Sequence, residues 1–154
     1  MTAALVTAAP HLPAMAKDVL DLVRLGEARL RQLPQVPTRT AHLFHGGIYS
    51  RTIRIPAGAI LTGALIKIAT TLSISGDVTI FTGGDDIHLQ GYHLIPASAG
   101  RKQAFRAHAD TYLTMSFKTD ALTVEQAESE FTDEGHLLLS RAQTEDDIVV
   151  VTGE

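Results

Sequence analysis

The chain has no cysteine and no tryptophan among its 154 residues, and aromatic residues make up only 5% of it. Without cysteine there is neither a disulfide framework nor a thiolate metal site. So few aromatics also disfavour a stacking platform for single-stranded nucleic acid or for sugars. Positive charge is not in excess either. Thirteen Lys and Arg stand against seventeen Asp and Glu, a net charge of -4, and the two signs are mixed along the sequence. No basic stripe of the kind that neutralises phosphates results, and no nucleic-acid partner is expected. No run approaches the ~20 continuous apolar residues of a membrane span, because Lys17, Asp18 and Asp21 interrupt the one candidate. The apolar opening, residues 1–15, has no basic residue before it and is broken by Pro10 and Pro13, so no export signal and no membrane association are read from it.

What is present falls into three textures, and the length suits one domain with extensions. An N-terminal arm, residues 1–40, contains Met15, Val19, Leu22, Val23, Leu30 and Leu33 at helical spacing with charges between them. This predicts an amphipathic helix over about 14–33, stopped by Pro34 and Pro37. Residues 41–119 change to short runs rich in Ile, Val, Thr, Leu and Tyr. Strands are expected at 42–44, 49–55, 60–68, 71–75, 78–81, 87–90, 93–96, 103–107 and 111–117. Turns are expected at Pro56-Ala57-Gly58, Ser75-Gly76-Asp77 and Gly83-Gly84-Asp85-Asp86. That spacing belongs to an antiparallel barrel or jelly roll. In residues 120–154, Thr123-Val124-Glu125-Gln126 reads as a capping box opening a helix over 124–131, and 136–139 and 148–151 read as short strands or extended arms.

The middle region resembles the cupin superfamily, and within it a cupin-like family common in tailed bacteriophages and prophages. The resemblance covers about 41–131 and is carried by His42-Leu43-Phe44-His45-Gly46-Gly47-Ile48-Tyr49-Ser50-Arg51, Ile55-Pro56-Ala57-Gly58, Leu61-Thr62-Gly63, Ser75-Gly76-Asp77-Val78-Thr79, Pro96-Ala97-Ser98-Ala99-Gly100-Arg101-Lys102 and Ala107-His108-Ala109-Asp110-Thr111. It implies a mainly β fold, a cupin-like antiparallel jelly-roll barrel, to which the residue pattern adds the N-terminal amphipathic helix and the short C-terminal helix. It also implies two histidines and a carboxylate between the Pro-x-Gly turn and the following glycine, with one more histidine on a later strand. Between Gly58 and Gly76, however, there is no His, Asp, Glu, Asn or Gln. The positions that would carry ligands fall near Ala64, Ile66, Ile68 and Thr70, and only His108 matches the later histidine. One imidazole does not hold a metal, so no metal ligands and no cofactor are expected.

The candidate ligand-binding residues are therefore His93 and His108, with Ile66 and Ile68 as an apolar wall. His88, His93 and His108 form the alternative of a relocated metal site, weighed against the commoner role of hydrogen-bonded structural histidines. No nucleophile elbow and no phosphate-cradling loop is present, which weighs against an enzyme. The leading expectation is a non-catalytic, metal-free, cupin-like structural or assembly component of a phage or prophage virion. It would be located in the virion or the host cytoplasm, and would form homo-oligomers and contact other virion proteins through its arms. The oligomer follows from area, since an amphipathic helix needs an apolar face to cover. The alternatives are a barrel that binds a small molecule and a metal-independent enzyme acting on a small polar substrate.

Overall fold

A computed structural model describes residues 10–138 and 147–154. One helix, α1 (Lys17–Leu30), precedes seven strands: β1 (Thr40–His45), β2 (Ile48–Ile55), β3 (Ile60–Thr62), β4 (Thr70–Phe81), β5 (Ile87–Ala97), β6 (Ala104–Ala107) and β7 (Thr111–Lys118). A second helix, α2 (Val124–Phe131), a 3-10 turn (Gly135–Leu137) and a last strand, β8 (Ile148–Val151), follow. The strands form one curled sheet in the order β3-β6-β4-β7-β2-β1-β8, with β5 on the other edge of β4. All of these pairings are antiparallel except β1 with β8. The fold is thus mainly β with two helices, as the sequence implies.

Alternation along the strands decides what lies inside the curl. In β4 the even positions Leu72, Ile74, Val78 and Ile80 are buried, and β7 turns Leu113, Met115 and Phe117 inward. Side chains on alternate strand positions share a face, so these strands close one continuous core. Helix α2 roofs it with Ala127 and Phe131. Its cap is close to the expected box: the Thr123 hydroxyl accepts from the Gln126 amide at 3.2 Å, while the Gln126 side chain reaches one residue further back, to the Leu122 amide.

Four expectations about local structure are corrected. Ser75-Gly76-Asp77 is not a turn but the middle of the long strand β4, and the two runs 87–90 and 93–96 join into β5 in the same way. Gly76 and Gly91 stand opposite each other in the register, with φ of 149° and 81°. A Cβ on Gly76 would lie 2.7 Å from the Thr111 Cα and 2.8 Å from the Asp110 carbonyl oxygen. Here the missing side chain lets β4 bend over the start of β7 without breaking, so that the same strand edge pairs with β7 before the bend and β6 after it. The run 60–68 is a short strand followed by a non-strand strap, which is held by single bonds such as Ile66 N–H to the Arg101 carbonyl at 2.8 Å. Residues 136–138 form a 3-10 turn and its cap rather than a strand, and Leu139 lies outside the described residues.

Helix α1 is shorter than the expected 14–33, and the amides of Gln32 and Leu33 close 3-10 turns before Pro34. Val23 is its buried residue and Met15, just before it, is buried too, while Leu22 and Leu25 on the helix and Leu33 after it remain exposed. The residues before it add to the sheet as well, since Leu12 is fully buried and pairs in parallel with Ala97.

Gly76→Ala is expected to lower unfolding stability by about 2 kcal/mol or more, combining a φ foreign to L residues with backbone overlap at Thr111. Gly91→Ala meets open space and is expected to cost about 1 kcal/mol. Urea melts of the two variants measure the difference.

Candidate functional site

Inside the curl, the strap and the strands leave a cavity of about 140 Å³. Its walls are largely apolar, with Ile53, Ile66, Leu72, Phe105, Leu113 and Phe131 among them. Such a volume approaches the ~150 Å³ that is sufficient to hold benzene in a dry core. Into this apolar lining the chain inserts four cations, Arg31, Arg51, Arg101 and Lys102, against two carboxylates, Glu27 and Glu134.

The cations differ in how they are compensated. Lys102, 1% exposed, has its ammonium 3.0 Å from Glu27 and 3.6 Å from Glu134 and donates to the Gly63 carbonyl oxygen at 2.8 Å. Arg51 pairs with the fully buried Glu128 at 3.2 Å and lies over the Phe131 ring at 5.7 Å. Arg101, 3% exposed, has no carboxylate within salt-bridge distance among the described residues. Its NH1 donates to the carbonyl oxygens of Ser98 at 2.7 Å and Ile68 at 3.3 Å, and its NH2 donates to the Thr70 hydroxyl at 2.7 Å. NH2 also faces the Met115 sulfur at 3.9 Å, a weak acceptor. Burial alone lowers the guanidinium pKa to about 10, so it stays charged at neutral pH at a desolvation cost. Beside it lies Gln103, 4% exposed, whose side-chain nitrogen has no partner among the described residues.

Behind Arg51, His42 is buried with Nδ1 2.7 Å from the Tyr49 hydroxyl and Nε2 3.5 Å from Asp147. Burial, followed by the charge of Arg51, holds its pKa below the usual imidazole value, and the Asp147 contact opposes the shift without reversing it. The ring is neutral in the folded protein near pH 7.

The structure separates the residues that the sequence groups together. Ile66 lines the cavity. Ile68 packs against the core and gives its carbonyl to Arg101. His93 lies on β5 opposite Ile74 and donates from Nε2 to the Gln90 carbonyl at 2.8 Å. His108 follows β6 and meets the Thr79 hydroxyl at 2.8 Å, and Asp110 turns instead to Arg54 and the Ala57 amide. His93 and His108 do not come from neighbouring strands, because β4 runs between β5 and β6. Arg101, Lys102, Gln103 and Glu128 were not singled out from the sequence. The one signal was Arg101-Lys102 directly after a Pro-Ala-Ser-Ala-Gly turn, and nothing in that spacing says that both side chains turn inward.

No family model and no curated protein matches the chain. Solved structures similar to it include cupin-domain proteins. A cupin superfamily protein from Desulfitobacterium hafniense shares 14% identity at a TM-score of 0.46, over 60% of this chain and 87% of that one. The Cnp3 cupin domain of Schizosaccharomyces pombe shares 16% identity at a TM-score of 0.45, over 68% and 80%. The cupin domain of a transcriptional regulator from Enterobacter cloacae shares 13% at a TM-score of 0.38, over 46% and 80%.

The neutral His42 has a consequence for stability. Its folded pKa is depressed, so the unfolded chain takes up the proton first, and stability falls as pH drops below the unfolded value of about 6.5. The carboxylates whose pKa values are depressed, Asp77, Asp110 and Glu134, lose their contributions only below about pH 4. Between those limits His42→Gln is expected to flatten the decline, read from urea midpoints across the pH range.

Proposed function

We propose that the protein is a non-catalytic, cupin-like binding barrel whose cavity holds no metal and takes a small, largely apolar molecule ending in a carboxylate or similar anion. The observation that carries this reading is Arg101. Thr70, one of the positions where a metal ligand would be expected, instead accepts a hydrogen bond from a buried guanidinium. A fixed cation there repels a divalent ion at short range and attracts an anion, and the low dielectric of the cavity strengthens both effects. Firm hydrogen bonds use three of the five N–H groups of Arg101, and a fourth faces only sulfur. An incoming oxygen gains more there than it displaces. The apolar walls supply the rest of the affinity, and the two carboxylates of the lining are already engaged by Lys102, Arg24 and Arg31.

Benzoate is the probe, with a benzene-sized ring for the apolar walls and a carboxylate for Arg101, and benzyl alcohol is the neutral counterpart. Benzoate is expected to raise the melting temperature and to bind in calorimetry, with benzyl alcohol weaker. Arg101→Met, checked for folding by circular dichroism, is expected to lose about 10- to 100-fold in benzoate affinity, the worth of a charge-assisted bond. Equal binding of both compounds, or no loss in the variant, would show that Arg101 is not the anchor.

A second reading, assembly, is favoured by β8. Its four residues Ile148, Val149, Val150 and Val151 are all about half exposed, and the strand lies at the end of the sheet with only β1 as its described partner. An apolar edge strand of this kind invites another chain. Together with the resemblance in the sequence, it supports a homo-oligomer and a place in a phage virion beside other virion proteins. Val149→Lys with Val151→Lys is expected to reduce the mass measured by light scattering, and a full-length protein that is monomeric at high concentration would remove self-association.

A further inference from the structure

On the outside of the barrel, facing away from the cavity, the bend of β4 brings together three side chains of metal-ligand type from three adjacent segments. The register places Asp77 opposite Gln90 and Thr79 opposite His88. On the other edge of β4, β6 ends with Ala107 opposite Val78. The next residue, His108, is fastened by its amide to the Asp77 carbonyl at 2.8 Å. Val78, Ile80, Leu89 and Ala107 occupy the buried phase, which leaves Asp77, Thr79 and His88 on the outer one. The His88 Nε2 is 2.6 Å from Asp77 Oδ1, and the rings of His88 and His108 meet edge to face with centroids 5.4 Å apart. One ligand atom each from Asp77, His88 and His108 lies within 4.8 Å of the others.

We propose that Asp77, His88 and His108 form a surface transition-metal site that takes Zn2+, with water completing the coordination. Two imidazoles and a carboxylate are the donor set this ion accepts when a position is left open to solvent. Four-coordinate zinc with ligands at about 2.0–2.1 Å spaces neighbouring ligand atoms by about 3.3 Å. The bond from His88 to Asp77 would therefore open slightly, with the ion replacing the shared proton, and the longest separation of 4.8 Å would shorten. The His88 side chain is about half exposed, so rotamer changes suffice. Gln90 donates to the second oxygen of Asp77 at 3.1 Å, which orients the carboxylate from outside the metal shell. None of the three residues lines the cavity, so the site is independent of the ligand proposed there.

The test is calorimetric titration of the tag-free, full-length protein with zinc chloride at neutral pH, alongside His88→Gln, His108→Gln and, as a control, His93→Gln. Glutamine keeps the polarity and approximate size, and thermal melts confirm that each variant folds. One zinc per chain is expected. Each of the first two substitutions is expected to weaken binding by more than about 100-fold, beyond what the loss of an outer contact causes, while His93→Gln leaves it unchanged. Absence of zinc uptake by the native protein would overturn the proposal. So would native affinity in the His88 or His108 variant, or a loss in the His93 variant equal to theirs.

Discussion

The interior is organised around one desolvated guanidinium. Arg101 reaches from the segment after β5 to the Ser98 carbonyl behind it, to the Ile68 carbonyl at the end of the strap and to the Thr70 hydroxyl at the start of β4. The bond to Ile68 satisfies a backbone carbonyl that the strap, being neither helix nor strand, does not pair within itself, and a buried unpaired carbonyl is costly. The same contacts hold Ile66 at the cavity wall, since the Ile66 amide bonds to the Arg101 carbonyl and the Gly100 amide bonds to the Ile66 carbonyl. The residue that ties the strap to the start of β4 is thus also the one cation of the lining without a carboxylate partner among the described residues.

The bend of β4 is the second constraint, and it acts on both faces. Because Gly76 lets the strand pass against Thr111, one strand edge serves β7 below the bend and β6 above it. The inner side chains of both halves then converge on one core. On the outer face, the same geometry gathers residues from β4, β5 and the end of β6 that are far apart in sequence. Asp77 donates nothing to the core, yet its carbonyl fixes His108 and its carboxylate meets His88.

How much of this is legible in the sequence follows from what kind of information each feature needs. The helix 124–131 and the strands 49–55 and 111–117 were readable because capping and period-2 alternation are local. Leu12 was not, because its burial depends on pairing with Ala97, 85 residues away. Gly76 was misread because a glycine between Ser and Asp carries the composition of a turn, and only the approach of Thr111 makes it a strand residue. At the site, the absence of ligands between Gly58 and Gly76 was plain in the residue types. That a buried guanidinium donates to the Thr70 hydroxyl was not, since charged residues are rarely fully buried and nothing local marks this one as the exception. The grouping of His88 with His108 rather than His93 depends on strand order, which periodicity does not specify.

A buried arginine in the lining bears on what the cavity is able to do. A metal ion lowers the pKa of bound water and exchanges ligands, which gives it chemistry as well as affinity. A guanidinium with a pKa of about 10 remains protonated at neutral pH, so it neither accepts a proton from a substrate nor generates a nucleophile. The other ionisable groups in the lining are held in pairs: Lys102 and Arg31 with Glu27, Lys102 and Arg24 with Glu134, and Arg51 with Glu128. What remains is a fixed positive charge in an apolar chamber, the feature on which the proposal of an anionic ligand rests. The pH sensitivity of the fold lies elsewhere, at the buried His42.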